Sequence, residues 1–144
     1  MNATGSGADN GPVSRFGFQS GKVVQELGWD EDVDEDIRSA IEAAVQGQLV
    51  DDGYGDVVDA VILWWRNDDG DLVDGLVDAL TDLSDGGAIW LLTPKVGRDN
   101  YVDASDISEA APTAGLSTTT SLAAGPRWSA TKLVSPKTDR SSRR

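Results

Sequence analysis

Neither cysteine nor histidine occurs in this 144-residue chain. The first absence excludes disulfides, thiolate nucleophiles and thiolate–zinc sites. The second removes the commonest general base, the serine–histidine–aspartate arrangement and imidazole metal ligation. Any catalysis must therefore run on carboxylates, Lys, Arg, Tyr or a cofactor. Long apolar runs are missing too. The longest uninterrupted one, Ala60 to Trp65, falls far short of the ~20 residues that span a bilayer. The first 15 residues carry Gly, Asn, Ser and Ala without an apolar stretch and do not read as a signal peptide. A cytoplasmic setting is expected.

Cations are the next scarcity. Twelve Lys and Arg face 25 Asp and Glu, for a net charge of −13. The imbalance sits in the middle, where 22 acids between Asp30 and Glu109 meet only Arg38, Arg66, Lys95 and Arg98. Residues 127–144 reverse it, with six bases and one acid. An acidic body repels nucleic acid and anionic membrane, because each phosphate contact needs a cation to displace counterions. It favours a protein partner with a basic surface, or divalent cations. A solvated acidic surface is the plainer account of the same charges.

What is present reads as one α/β domain over residues 16–135, between a disordered arm (1–15) and a flexible basic tail (136–144). Lys22 to Trp29 reads as a first strand. Asp30 to Asp36 leads into a helix with Val33, Ile37, Ile41, Ala44 and Val45 on one face. Gln48 to Val50 suggests a short strand. Val57 to Trp65 is nearly continuously apolar, the mark of a strand covered on both faces. A helix from Asp71 follows, with Leu72, Val73, Leu76, Val77, Leu80 and Leu83 inward and Asp74, Asp78 and Asp82 on its outer face. That acidic face must be wet or neutralised; it also suggests a nucleic-acid mimic. Asp85-Gly86-Gly87 then turns into a strand over Ala88 to Leu92. A helix over Ala104 to Gly115, with Ser105 or Asp106 near its cap, precedes two strands, Leu116 to Ala123 and Ser129 to Val134. Strands alternating with helices imply a doubly wound, mostly parallel sheet. The last pair has no helix between its members and should be antiparallel.

Two resemblances follow from these residues. Asp82-Leu83-Ser84-Asp85-Gly86-Gly87-Ala88-Ile89-Trp90-Leu91 resembles the helix, Gly-Gly, strand step of S-adenosylmethionine-dependent methyltransferases, and the final strand pair is similar to that fold's closing hairpin. More specifically, Leu27-Gly28-Trp29-Asp30-Glu31-Asp32-Val33-Asp34, Leu91-Leu92-Thr93-Pro94-Lys95 and Trp128-Ser129-Ala130-Thr131-Lys132-Leu133-Val134 are similar to a small, acidic actinobacterial family of unknown function, over residues 16–137. The first resemblance implies a Rossmann-like, methyltransferase-like fold and a cofactor loop at Glu26, Gly28, Trp29 and Asp30. The loop departs from that pattern. Methyltransferases keep it rich in glycine so that backbone can approach the cofactor, whereas here Trp29 and Asp30 follow a single glycine. The expectation is that an indole and a carboxylate shut the cofactor pocket.

Trp65, Arg66, Lys95 and Arg98 lie just past strand ends, on the edge where such sheets bind ligands. They form either a crevice for an anion or partner, or an ion-pair network with Asp30, Asp68 and Asp99. The acidic stretches 30–36 and 67–71 do not form calcium loops, since Glu35 and Leu72 stand where the required glycine would be. Gly17 to Lys22 fails as a phosphate loop, with three residues between its glycines and Val23 after Lys22. The expected function is a non-catalytic interaction or regulatory module on a degenerate methyltransferase-like scaffold, with no cofactor. The alternative is a protein that binds a nucleotide or S-adenosylmethionine, or a methyltransferase-like enzyme.

Overall fold

Apolar runs and well-placed aspartates decide the layout. The computed structural model describes residues 16–135; the arm and tail expected at 1–15 and 136–144 lie outside them. The elements are β1 (Val24–Leu27), α1 (Glu35–Val45), β2 (Val58–Trp64), α2 (Leu72–Leu80), β3 (Leu83–Pro94), α3 (Ala104–Thr113), β4 (Ser117–Ala123) and β5 (Trp128–Val134). They build one five-stranded sheet in the order β1-β2-β3-β5-β4. β1, β2 and β3 run parallel. β5 is antiparallel to both β3 and β4. The expected doubly wound architecture with a closing antiparallel pair is therefore present.

Each helix begins where an aspartate satisfies its free amides. Asp34 accepts from the Asp36 and Ile37 amides, Asp71 from Val73, and Asp103 from Ser105. The α3 cap is thus Asp103, ahead of the expected Ser105 or Asp106, because its carboxylate takes both the amide and the hydroxyl of Ser105 at 3.0 Å. That bonding holds the Asp103 carboxyl below its usual range, through the Ser105 amide first and then the hydroxyl.

Alternation along the strands sorts the core into two layers. On one face Ile37, Ile41 and Val45 of α1 cover Ala60, Ile62, Trp64, Trp90 and Trp128. On the other, Leu76 and Ala79 of α2 and Ile107, Ala110 and Ala111 of α3 cover Val61, Leu63, Ile89, Leu91 and Leu133. β2 is buried almost throughout, as its apolar run required.

Some boundaries move. α2 ends at Leu80 and Leu83 joins β3, while Val77 faces solvent. The Asp85-Gly86-Gly87 segment is not a separate turn; it lies within β3, at the register shift against β2. The short strand expected at Gln48–Val50 contracts to a single parallel bridge from Val50 to Gln25, because the chain turns away at Asp51. Among the described residues no helix is long and apolar enough to cross a membrane.

Candidate functional site

Where β1 and β2 end side by side, the backbone turns sharply at Gly28. Its φ of 78° is left-handed, and a Cβ there would collide with the Trp64 carbonyl. Beyond this turn lies a crevice of about 600 Å³ at the carboxyl edge of the parallel strands. Of the residues expected to form the site, Gly28, Trp29, Asp30, Trp65 and Arg66 line it. Trp29 stands at the rim, 53% exposed. The indole expected to shut the pocket instead borders an open crevice.

Lys95 and Arg98 go elsewhere. Both follow β3 toward β5, where the Lys95 amide donates to the Arg127 carbonyl at 3.0 Å. Arg98 Nη1 donates to that same carbonyl at 2.9 Å, with its guanidinium 5.4 Å from the Trp128 ring centre. Neither borders the crevice. Glu26, expected at the cofactor loop, is also committed inward. Arg38 Nε donates to its Oε2 at 2.6 Å and Nη2 to its Oε1 at 2.9 Å, while Trp64 Nε1 donates to Oε2 at 2.9 Å. The paired carboxylate holds the Arg38 guanidinium above its ordinary value against the opposing effect of burial.

Arg66 is the cation in the crevice wall, and the protein consumes it. Nε donates to Asp32 Oδ2 at 3.0 Å and Nη2 to Asp32 Oδ1. Nη1 donates to the carbonyls of Gly28 at 2.7 Å and Trp64 at 3.3 Å, and reaches Asp69 Oδ2 at 3.4 Å. Of the expected ion-pair network only the Arg66 part is present among the described residues, with Asp32 and Asp69 in place of Asp30, Asp68 and Asp99; Lys95 and Arg98 make no ion pair there. Burial works against the charge of Arg66, and its hydrogen bonds and attraction to the two aspartates override it, raising its pKa. In return Arg66 holds the Asp32 carboxyl below its usual range, chiefly by hydrogen bonding.

With Arg66 taken, the remaining lining is acidic and aromatic. Asp52, Asp78 and Asp82 join Asp30 around the crevice. None of these four has a basic partner among the described residues. Trp65 is half-buried, its indole lying on Gly75 so closely that a Cβ there would sit 2.5 Å from the ring. Sequence reasoning noted the acidic face of α2 without locating it. Asp78 and Asp82 line the crevice from the far end of α2, which runs back toward the start of β2, where the Val58 amide donates to the Asp82 carbonyl at 2.8 Å. Asp52 arrives through the Val50–Gln25 bridge, for which the sequence held no signal. Among the described residues no group of three or more carboxylates is placed to hold a metal ion.

Comparison with solved structures identifies the scaffold. The chain superposes on the O-methyltransferase NcsB1 of neocarzinostatin biosynthesis, in complex with S-adenosylmethionine, with a TM-score of 0.63 at 14% identity, over 94% of this chain and 53% of that one. A putative methyltransferase from Thermoplasma acidophilum gives 0.58 at 10% identity, over 85% and 74%. The CcbJ methyltransferase from Streptomyces caelestis gives 0.55 at 11%, over 94% and 97%. The fold is methyltransferase-like. In sequence, uncharacterized proteins of Mycobacterium tuberculosis and Mycobacterium bovis are 52% identical over 123 residues, covering 85% of this chain and 77% of theirs. The family model described as "Protein of unknown function (DUF3052)" matches residues 13–137. The chain, an open α/β sheet with an acidic, indole-walled crevice at its strand ends, belongs to that family, which has relatives in actinobacteria.

Proposed function

We propose that this protein is a non-catalytic docking module, built on a degenerate methyltransferase-like scaffold, that takes a basic side chain of a protein partner into the strand-end crevice. One observation carries the reading. The guanidinium in the crevice wall, Arg66, is saturated by Asp32 and Asp69, which leaves Asp30, Asp52, Asp78 and Asp82 facing a space walled by Trp29 and Trp65. Carboxylates beside indole faces select a cation. Each cation–π contact contributes about 0.5–2 kcal/mol depending on desolvation, and the acidic body steers a basic partner inward over longer range.

The same lining suits an adenosyl cofactor or a nucleotide poorly. The carboxylate or phosphate of such a ligand needs donors, and the first free amides of α1 are already bonded to Asp34. The positions after Gly28 present Trp29 and Asp30 instead of bare backbone. The alternative, binding of S-adenosylmethionine or a methyltransferase-like activity, draws support from the fold and from the left-handed turn retained at Gly28.

Melting temperature and tryptophan emission, followed with a short arginine-rich peptide and in parallel with S-adenosylmethionine, separate the two readings. The docking reading expects a response to the peptide that weakens with added salt, and none to S-adenosylmethionine at millimolar concentration. A response to S-adenosylmethionine alone overturns it.

A further inference from the structure

The two edges of the sheet are treated differently by the fold. At the β1 edge, Val50 occupies the outer backbone groups: the Glu26 amide donates to the Val50 carbonyl at 2.7 Å, and the Val50 amide to the Val24 carbonyl at 3.0 Å. β4 forms the opposite edge. Among the described residues no hydrogen bond reaches its outer side; its recorded pairing is all toward β5.

An open edge is a template for another strand, and proteins usually blunt it with charge or proline. β4 reads Ser-Thr-Thr-Thr-Ser-Leu-Ala and is the one strand of the five with no charged residue. It contains no proline, and all its side chains but Leu122 are exposed. Threonine favours the strand conformation. Among the described residues the only blunting device is the register shift between Thr118 and Thr120, which leaves Thr120–Ala123 in regular pairing beyond it.

Charge decides which partner strand fits. The chain carries −13 overall, yet no acid occurs between Glu109 and Asp139, a stretch that includes all of β4 and β5 and contributes Arg127 and Lys132. Repulsion between two copies is therefore weakest where they approach along this stretch. From the neutral β4 edge and the segregation of charge away from it, we infer that β4 pairs antiparallel with β4 of a second copy of this chain. The result is an isologous dimer with one continuous ten-stranded sheet. Such a pairing sets uncharged Thr, Ser, Leu and Ala side chains opposite one another across the two-fold axis. It places the two acidic crevices at the far ends of the assembly.

Sedimentation equilibrium on the full chain, with concentration varied over a hundredfold, tests this. The expected mass is twice 15.2 kDa, with dimer strengthened as salt rises, because salt screens repulsion between the acidic bodies. Thr120→Lys places a like charge at the edge of both copies and should yield monomer with an unchanged circular dichroism spectrum. Should that variant fail to fold, amide exchange of the wild type gives the second readout: protection at Thr120–Ala123 should rise with protein concentration while protection in β2 stays constant. A monomer across the whole range overturns the inference. So does a dimer that dissolves in salt, which would point to contact between basic and acidic segments, or one that persists in Thr120→Lys.

Discussion

Arg66 and Asp32 are 34 residues apart in sequence, and their side chains meet fork to fork, guanidinium against carboxylate, behind the Gly28 turn. This pair sets the electrostatic character of the crevice. It removes the one cation that, among the described residues, borders the crevice, and it ties the end of β2 to the segment leading into α1. Arg66 Nη1 completes the arrangement by capping the carbonyl of Gly28 at 2.7 Å.

Arg66→Met keeps a long stem and removes the charge. The Gly28 and Trp64 carbonyls lose a donor, while Asp32 and Asp69 lose their cation. Breaking so buried a hub is expected to destabilise the protein by about 2–4 kcal/mol. Asp32→Asn should cost less, about 1 kcal/mol, because that carboxylate is 43% exposed and water replaces part of what it loses. Urea midpoints of the two variants check the order.

The same pair makes stability depend on pH in acid. Asp32 is held below its ordinary value in the folded state, chiefly by the hydrogen bond from Arg66. Its contribution is complete above the unfolded carboxylate range, near pH ~4, and is lost as pH falls through the depressed folded value. Urea midpoints should drop below about pH 4, and Asp32→Asn should flatten part of that fall. An equal slope in variant and wild type would show that other carboxylates carry it.

Two glycines beside the crevice should respond differently to alanine. Gly28→Ala meets both a left-handed φ of 78° and the Trp64 carbonyl, and should cost about 2–4 kcal/mol. Gly75→Ala gains about 1 kcal/mol of helix propensity but forces the Trp65 ring from a Cβ 2.5 Å away. Its net stability should change little while Trp65 emission shifts. Denaturation and fluorescence measured on both variants decide this.

The buried indoles Trp64 and Trp128 pack edge to face at 4.8 Å, but only one uses its N–H. Trp64 Nε1 donates to Glu26, whereas Trp128 Nε1 has no partner among the described residues. Trp64→Phe should therefore cost about 1–2 kcal/mol more than Trp128→Phe. Thermal or chemical denaturation gives the comparison.

The scaffold was legible where pattern is local. Val61, Ile62 and Leu63 announced a strand covered twice, and Ile37, Ile41 and Val45 announced one face of a helix. The absence of a helix between the last two strands announced their antiparallel pairing. The site was legible only in part. Arg66 and Trp65 were placed at the edge by their position after β2, but a pairing across 34 residues leaves no periodic trace, so Asp30 and Asp68 were expected where Asp32 and Asp69 act. Trp29 was expected to fill the pocket because it follows the single glycine of the loop; it stands at the crevice rim instead. Lys95 and Arg98 share the strand-end rule with Arg66, yet they follow β3 and bond toward β5, on the side of β3 away from the β1 and β2 ends that bear the crevice.

Calorimetric titration with a short arginine-rich peptide tests the central claim most directly, comparing wild type, Asp78→Asn/Asp82→Asn in the crevice, and Asp36→Asn/Asp85→Asn away from it. Both double variants remove the same charge. The account predicts that the crevice pair lowers affinity about tenfold or more, equivalent to about 1.4 kcal/mol, while the remote pair changes it far less. Equal losses in the two variants, or tight binding of S-adenosylhomocysteine that the crevice pair abolishes, would contradict it.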